Sequence, residues 1–136
     1  MSGALAQALA GTGRRAEDYR APTVVEPFGV GGATGPDAPG ELVAGAVRFR
    51  TLHAPGHTEG STLLVADDVV LAGDVLFANG VGRTDLPGGD AATMARTLRD
   101  VVGRLDPGLA VVPGHGPTTT VGRELATNPY LRPHLR

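Results

Sequence analysis

Three short stretches of this chain each end in a side chain able to hold a cation. They are Ala54-Pro55-Gly56-His57-Thr58, Leu71-Ala72-Gly73-Asp74 and Val111-Val112-Pro113-Gly114-His115-Gly116. Each combines a short apolar strand, a tight turn and an imidazole or carboxylate. A glycine ahead of the donor lets the backbone turn and approach closely. Two imidazoles and one carboxylate suit zinc, iron or manganese. The carboxylate of Asp74 can bridge two cations, and a bridged pair can bind and deprotonate water near neutral pH. That would supply a hydroxide nucleophile with no serine or cysteine, and makes Asp74 the catalytic candidate as well as a metal candidate. The sequence contains no cysteine, so thiolate nucleophiles, disulfides and Cys-based metal sites are excluded. Plainer readings exist for each group on its own. Pro-Gly-His is also a simple turn, and a lone Asp74 can cap a loop. The intervals between the three match no compact zinc motif. Of the other histidines, His53 reads as a packing or outer supporting residue, and His134, near the C-terminus, as solvated.

Strands and helices must bring these groups together. Ala46-Val47-Arg48-Phe49-Arg50-Thr51-Leu52-His53 alternates Val47, Phe49 and Thr51 with Arg48 and Arg50, the period of a half-buried strand. Ser61-Thr62-Leu63-Leu64-Val65-Ala66 and Val69-Val70-Leu71-Ala72 read as two strands of a hairpin turned at Asp67-Asp68. A helix starts at Asp90, a good N-cap, and carries Met94, Leu98, Val101, Val102 and Leu105 on one face. Leu109-Ala110-Val111-Val112 is another buried strand. A last short helix begins near Thr119 or Thr120 and stops before Pro129. The order strand, hairpin, helix, strand, helix is α/β in character, with helices covering a sheet. Strand-end loops are where such folds place their ligands. Ahead of these elements, residues 3–19 read as a short helix broken at Gly11 and Gly13, and residues 21–45 as mostly surface loop. The expected organisation is a variable region over 1–45 and an ordered half-domain over 46–136.

The chain has 136 residues, enough for one domain. Its net charge of −2 offers no footprint for nucleic acid or an anionic membrane, and Arg14-Arg15 reads as a solvated helix end. No stretch is long enough to span a bilayer. The N-terminus lacks the leading basic residues of a signal peptide, so a cytoplasmic location is the default expectation. Aromatic residues make up only 4%, which leaves the packing to aliphatic side chains.

The wording of the motifs narrows the field. His53-Ala54-Pro55-Gly56-His57-Thr58-Glu59-Gly60-Ser61 is similar to the HTPGHTPGS segment of metallo-β-lactamase-fold hydrolases. Gly73-Asp74-Val75-Leu76-Phe77 resembles their GDTLF segment. Gly82-Arg83-Thr84-Asp85-Leu86-Pro87-Gly88-Gly89 resembles the GRTDLPGG loop of the glyoxalase II-like (hydroxyacylglutathione hydrolase-like) branch. Pro113-Gly114-His115-Gly116-Pro117 resembles the PGHGP end motif, and Glu124-Leu125-Ala126-Thr127-Asn128-Pro129-Tyr130-Leu131 the branch's ER-x-TNP-x-L tail. The resemblance covers about the last two thirds of the chain. It implies part of an αββα sandwich, roughly the C-terminal half, with a mixed sheet covered by helices. It implies that His57 ligates metal 1, that Asp74 bridges, and that His115 ligates metal 2. Thr58 and Ser61 become outer-shell or turn residues, and Arg83 and Asp85 shape a substrate-side loop.

The family's H-x-H-x-D-H motif is absent: the histidines are 53, 57, 115 and 134, and none precedes the strand at Ala46. Zinc normally takes three or four ligands, so each metal would keep only one histidine and the bridge. The missing half is expected upstream of Met1, through a misplaced start or a broken gene, with a real short form as the other option. A sheet face left bare would favour self-association. The resemblance implies a hydrolase with two zinc ions, iron or manganese also being admissible, that cleaves a thioester or related ester of a small molecule. The alternatives are an inactive fragment and a persulfide dioxygenase-like iron enzyme.

Overall fold

A computed structural model of the protein describes residues 40–136. The helix expected over residues 3–19 lies outside the described residues, as do residues 21–39. Six strands form one mixed sheet in the order β1-β2-β3-β4-β7-β8: β1 Gly40–Ala44, β2 Val47–His53, β3 Thr62–Val65, β4 Val69–Gly73, β7 Ala110–Pro113 and β8 Thr119–Thr120. A separate two-stranded hairpin, β5 Leu76–Phe77 and β6 Gly80–Val81, sits between β4 and the first helix, α1 Ala91–Asp100. The second helix, α2 Val121–Thr127, follows β8. The α/β class is therefore as expected. The strands β1, β5, β6 and β8 were not foreseen; residues 40–44 form a strand where a loop was expected. β5, β6 and β8 have two residues each, too few for periodicity to reveal, and β1, at the end of a Pro- and Gly-rich stretch, is held by antiparallel pairing of Leu42 with Phe49 and Val43 with Arg48.

β1 to β4 are antiparallel to their neighbours, whereas β4 and β7 are parallel. β2, β4 and β7 consequently all run in the same direction. Leu52 lies opposite Leu63, Val65 opposite Val70, and Val70 opposite Val111, so these side chains share one face. That face is fully buried beneath α1, α2 and the segments around them, which contribute Met94, Leu98, Val101, Val102, Leu105, Leu109, Val121 and Leu131. The opposite face carries Thr51, Leu64, Leu71 and Val112 in one cross-strand row. Leu64 and Leu71 are half-buried there, and Val112 is 38% exposed. β2 differs from the half-buried strand expected: Val47 is exposed, while Thr51 and Leu52, on opposite faces, are both buried.

α1 starts where the sequence places it. Asp90 is extended, and its Oδ1 accepts the Thr93 N–H at 2.6 Å. The α-helix ends at Asp100, earlier than the apolar spacing implies. The β-branched pair Val101-Val102 and Gly103 favour a tighter turn, seen at Val102–Arg104. The burial pattern survives the change, since Val101, Val102 and Leu105 all remain in the core. α2 is capped by Thr120, whose hydroxyl accepts the Arg123 N–H at 3.2 Å, and ends before Pro129. Among the described residues, no helix is long and apolar enough to cross a membrane.

Leu98, on α1, belongs to the core, with 1% of its surface exposed. Leu98→Ala should lower unfolding free energy by about 2–5 kcal/mol, and Asp90→Ala by about 1 kcal/mol. Urea unfolding followed by circular dichroism checks both, and a loss below ~0.5 kcal/mol for Leu98→Ala would contradict the core assignment.

Candidate metal centre

Because β2, β4 and β7 run the same way, the loops that leave their C-terminal ends emerge at one edge of the sheet. His57 lies in the loop after β2, Asp74 directly after β4, and His115 two residues past β7. The parallel β4–β7 junction is tightened by the Gly114 N–H, which donates to the Gly73 carbonyl at 2.7 Å. Asp74 thereby faces both histidines: Oδ2 stands 3.4 Å from His57 Nε2, and Oδ1 stands 2.8 Å from His115 Nδ1. The three groups brought together are those singled out in the sequence.

The His57 loop is held from two sides. The Ala54 N–H donates to the Ser61 carbonyl at 2.7 Å and closes the loop at its base. From α1, the Thr97 hydroxyl donates to the Pro55 carbonyl at 2.6 Å, and the Asp90 N–H donates to the Gly56 carbonyl at 2.8 Å. The ring is oriented by the Arg83 carbonyl, 2.7 Å from Nδ1. A carbonyl only accepts, so Nδ1 carries the hydrogen, and in the neutral ring Nε2 presents a lone pair toward Asp74. Two acceptors facing each other at 3.4 Å repel, and a proton or a cation between them would relieve that repulsion. Backbone carbonyls commonly orient metal-binding histidines in this manner.

Space around Asp74 is made by two glycines. A Cβ on Gly114 would lie 2.6 Å from Asp74 Oδ1. A Cβ on Gly82 would lie 1.9 Å from the Asp74 carbonyl oxygen and 3.0 Å from His57 Cβ and Cγ. Gly114 stands ahead of its donor as the sequence suggested. Gly82 was missed as a site residue, because its role comes from contacts distant in sequence; its place at the head of the Gly82-to-Gly89 block is the one signal that pointed to it. Phe77, also missed, sets its ring edge-on against His115, with centroids 5.8 Å apart and planes at 75°. His115 is the most open of the three, its side chain 74% exposed against 33% for Asp74 and 19% for His57.

The remaining candidates occupy the surroundings. His53 Nε2 meets the Glu59 carbonyl at 2.6 Å, bracing the loop that carries His57. Thr58 and Ser61 bond to each other, hydroxyl to hydroxyl at 2.8 Å, within the same turn. Arg83 turns its guanidinium away to a two-point pair with Asp85, with both contacts at 2.7 Å. These bonds hold the Asp85 carboxyl at about 2, well below its ordinary value, and raise Arg83. His134, expected to be solvated, is half-buried and lines a shallow groove with Val81, Met94 and Tyr130.

The donors suit a cation in kind and, at His57, in spacing; the 2.8 Å between His115 Nδ1 and Asp74 Oδ1 is a hydrogen-bond length. Zinc bonds to nitrogen and to oxygen are both about 2.0–2.2 Å, so two donors sharing a tetrahedral ion stand roughly 3.4 Å apart. The His57–Asp74 separation of 3.4 Å is of that size. The donor number is short, however. Among the described residues, no group of three His, Cys, Asp or Glu is gathered closely enough to hold an ion. Asp74 offers one oxygen to each histidine, which leaves two donors at each position.

Known proteins share this arrangement of segments. GloC of Haemophilus influenzae, described as a hydroxyacylglutathione hydrolase, is 41% identical over 85 residues, a stretch that is 61% of this chain and 40% of GloC. The crystal structure of ETHE1 from Myxococcus xanthus matches with a TM-score of 0.64 at 32% identity, covering 70% of this chain and 46% of that one. A crystal structure of TTHA1623 in a di-iron-bound form matches with a TM-score of 0.59 at 44% identity, covering 61% and 42%. The chain spans about two fifths of the length of the curated relatives it matches. The family model of the metallo-beta-lactamase superfamily aligns with residues 5–115, and so takes in the strand ends bearing His57, Asp74 and His115. By that match, which covers most of its length, and by its mixed sheet and helices, the chain belongs to the metallo-beta-lactamase superfamily.

Proposed function

We propose that this chain forms the C-terminal half of a metal-dependent hydrolase that cleaves a thioester, or a related ester, of a small acyl group. The observation that carries the proposal is the meeting of His57, Asp74 and His115 at one sheet edge, with Asp74 between the two imidazoles. His57 would bind one cation through Nε2, His115 would bind a second, and Asp74 would give one oxygen to each. A bound pair of divalent cations would supply Lewis acidity and the activation of water at neutral pH. The Arg83 carbonyl keeps the His57 ring in the tautomer that leaves Nε2 free. The loop bearing the Arg83–Asp85 pair adjoins His57 and would shape the substrate side. The substrate class draws support from GloC, whose description names an acylglutathione. Zinc is the first metal to test, and iron is supported by the di-iron form of TTHA1623.

A second reading is favoured by the presence of only two donors at each position: the described half is catalytically inert until another segment or chain completes it. Of the other two histidines, His53 is bonded to the Glu59 carbonyl and His134 lies beside Met94 and Tyr130, so further imidazoles would come from outside this chain. The row Leu64, Leu71 and Val112 is the face that such a partner, or a second copy, would cover.

Metal analysis and hydrolysis assays decide between these readings, using the chain alone and the chain joined to an upstream segment that carries H-x-H-x-D-H. The hydrolase reading expects two metal ions per chain and turnover of small acyl thioesters in the joined protein. Metal-loaded protein that cleaves neither thioesters nor esters contradicts it, and full activity of the chain alone contradicts the inert reading. Loss of a group outside the ligand set already costs about 10–100-fold in metal affinity. Asp74→Ala, which removes a donor from both positions, should therefore cost more than ~100-fold; unchanged metal content would show the ligand assignment to be wrong. Gly82→Ala should weaken metal binding by at least ~10-fold, because the new Cβ displaces the Asp74 backbone or the His57 ring. Competition with a chelating dye measures this, and wild-type affinity in Gly82→Ala would contradict the close packing described.

A further inference from the structure

Among the described residues, the most deeply buried carboxyl group forms no ion pair. Glu124, on α2, has no exposed surface, and neither has Asn128 just beyond the helix end. Every partner of the Glu124 carboxylate is neutral. Oε1 accepts the Thr119 hydroxyl at 2.7 Å. Oε2 accepts the Asn79 N–H at 2.8 Å and the Asn128 side-chain amide at 2.9 Å. The same Asn128 amide reaches the Phe77 carbonyl at 3.3 Å and the Gly80 carbonyl at 3.1 Å. Its Oδ1 accepts the Tyr130 and Leu131 N–H groups at 2.9 and 3.3 Å. Burying a carboxylate with no counter-ion is costly, and an apolar side chain would serve packing alone better.

What this network holds is the tip of the β5–β6 hairpin. Phe77, Asn79 and Gly80 are all gripped by backbone atoms, and Asn79 sits at a positive φ of 61° that the turn requires. The hairpin's arms are the walls of the metal centre. Its first strand follows Asp74 and carries Phe77, whose ring meets His115. Its second strand leads into Gly82, packed against Asp74 and His57, and into Arg83, whose carbonyl orients His57.

We propose that Glu124 and Asn128 are positioning residues for the metal centre, fixing His57, Asp74 and His115 through the tip of the β5–β6 hairpin. The role toward metal rests on the ligand reading given above; the role toward side-chain geometry does not. Glu124→Met removes the acceptor with little change of volume, leaves the Asn79 N–H without its partner and leaves the Asn128 amide only the Phe77 and Gly80 carbonyls. Glu124→Gln keeps an oxygen for those two donors, while the Thr119 hydroxyl can turn to accept from the new amide. Thr119→Val loses a bond to Glu124 on the side that does not touch the hairpin.

The test uses the metal-free chain in mildly alkaline buffer. Ring nitrogen NMR shifts report which nitrogen of His57 carries hydrogen. Wild type, Glu124→Gln and Thr119→Val should show hydrogen on Nδ1, and Glu124→Met a mixture of both tautomers. Zinc affinity, measured separately, should fall by about 10–100-fold in Glu124→Met and recover in Glu124→Gln. A folded Glu124→Met with the wild-type tautomer overturns the proposal, as does a Thr119→Val that disturbs His57 as much as Glu124→Met does. A shifted tautomer with zinc affinity unchanged leaves the positioning role standing and removes the ligand reading. Should Glu124→Met fail to fold, hydrogen exchange in the wild-type chain decides: the Asn79 amide should exchange at least ~100-fold more slowly than a free amide, and free exchange there overturns the proposal.

Discussion

Everything in the site depends on strand direction. β2, β4 and β7 run one way, with β3 threaded antiparallel between the first two, and this puts three loops at the same edge of the sheet. No local propensity requires that outcome. It follows from the β2–β3–β4 meander combined with a parallel crossover from β4 to β7, which is long enough to hold the hairpin and α1. The buried rows of Leu52 with Leu63, Val65 with Val70, and Val70 with Val111 lock the register. A one-residue slip would turn these side chains to the wrong face and separate the donors.

On that frame the site is a problem of placing acceptors together. Asp74 looks at the bare nitrogen of His57 across 3.4 Å, and the Arg83 carbonyl forbids the simple remedy of moving the ring hydrogen to Nε2. The cluster is held by packing at Gly82 and Gly114, by bonds from α1 to the Pro55 and Gly56 carbonyls, and by the grip of Glu124 and Asn128 on the hairpin. Structure elsewhere bears the cost of keeping like groups close, as is common where charge is to be bound.

The sequence made much of this legible. Strands with a clear apolar period, α1 with its Asp90 cap, and the three donors after glycine turns are all where the residues put them. The features that escaped depend on long-range contacts. β1, β5, β6 and β8 are too short or too polar to carry a period of their own. Gly82 matters only because Asp74 and His57 pack on it, and Glu124, seen in the sequence only as part of the Glu124-to-Leu131 block, gains its role when α2 docks on the hairpin. A place near the terminus predicts a solvated His134, yet the last turn folds back beside Met94. Val47 failed the other way, apolar in an alternating strand but exposed at its outer end.

On the proposed reading, His57, Asp74 and His115 address common cation positions. Anomalous diffraction at the zinc edge, from crystals of the protein equilibrated with zinc, tests it most directly. Density is expected within about 2 Å of His57 Nε2 and Asp74 Oδ2, with a second peak next to Asp74 Oδ1 and His115. Zinc found only at other residues, with these three side chains pointing apart, would contradict it.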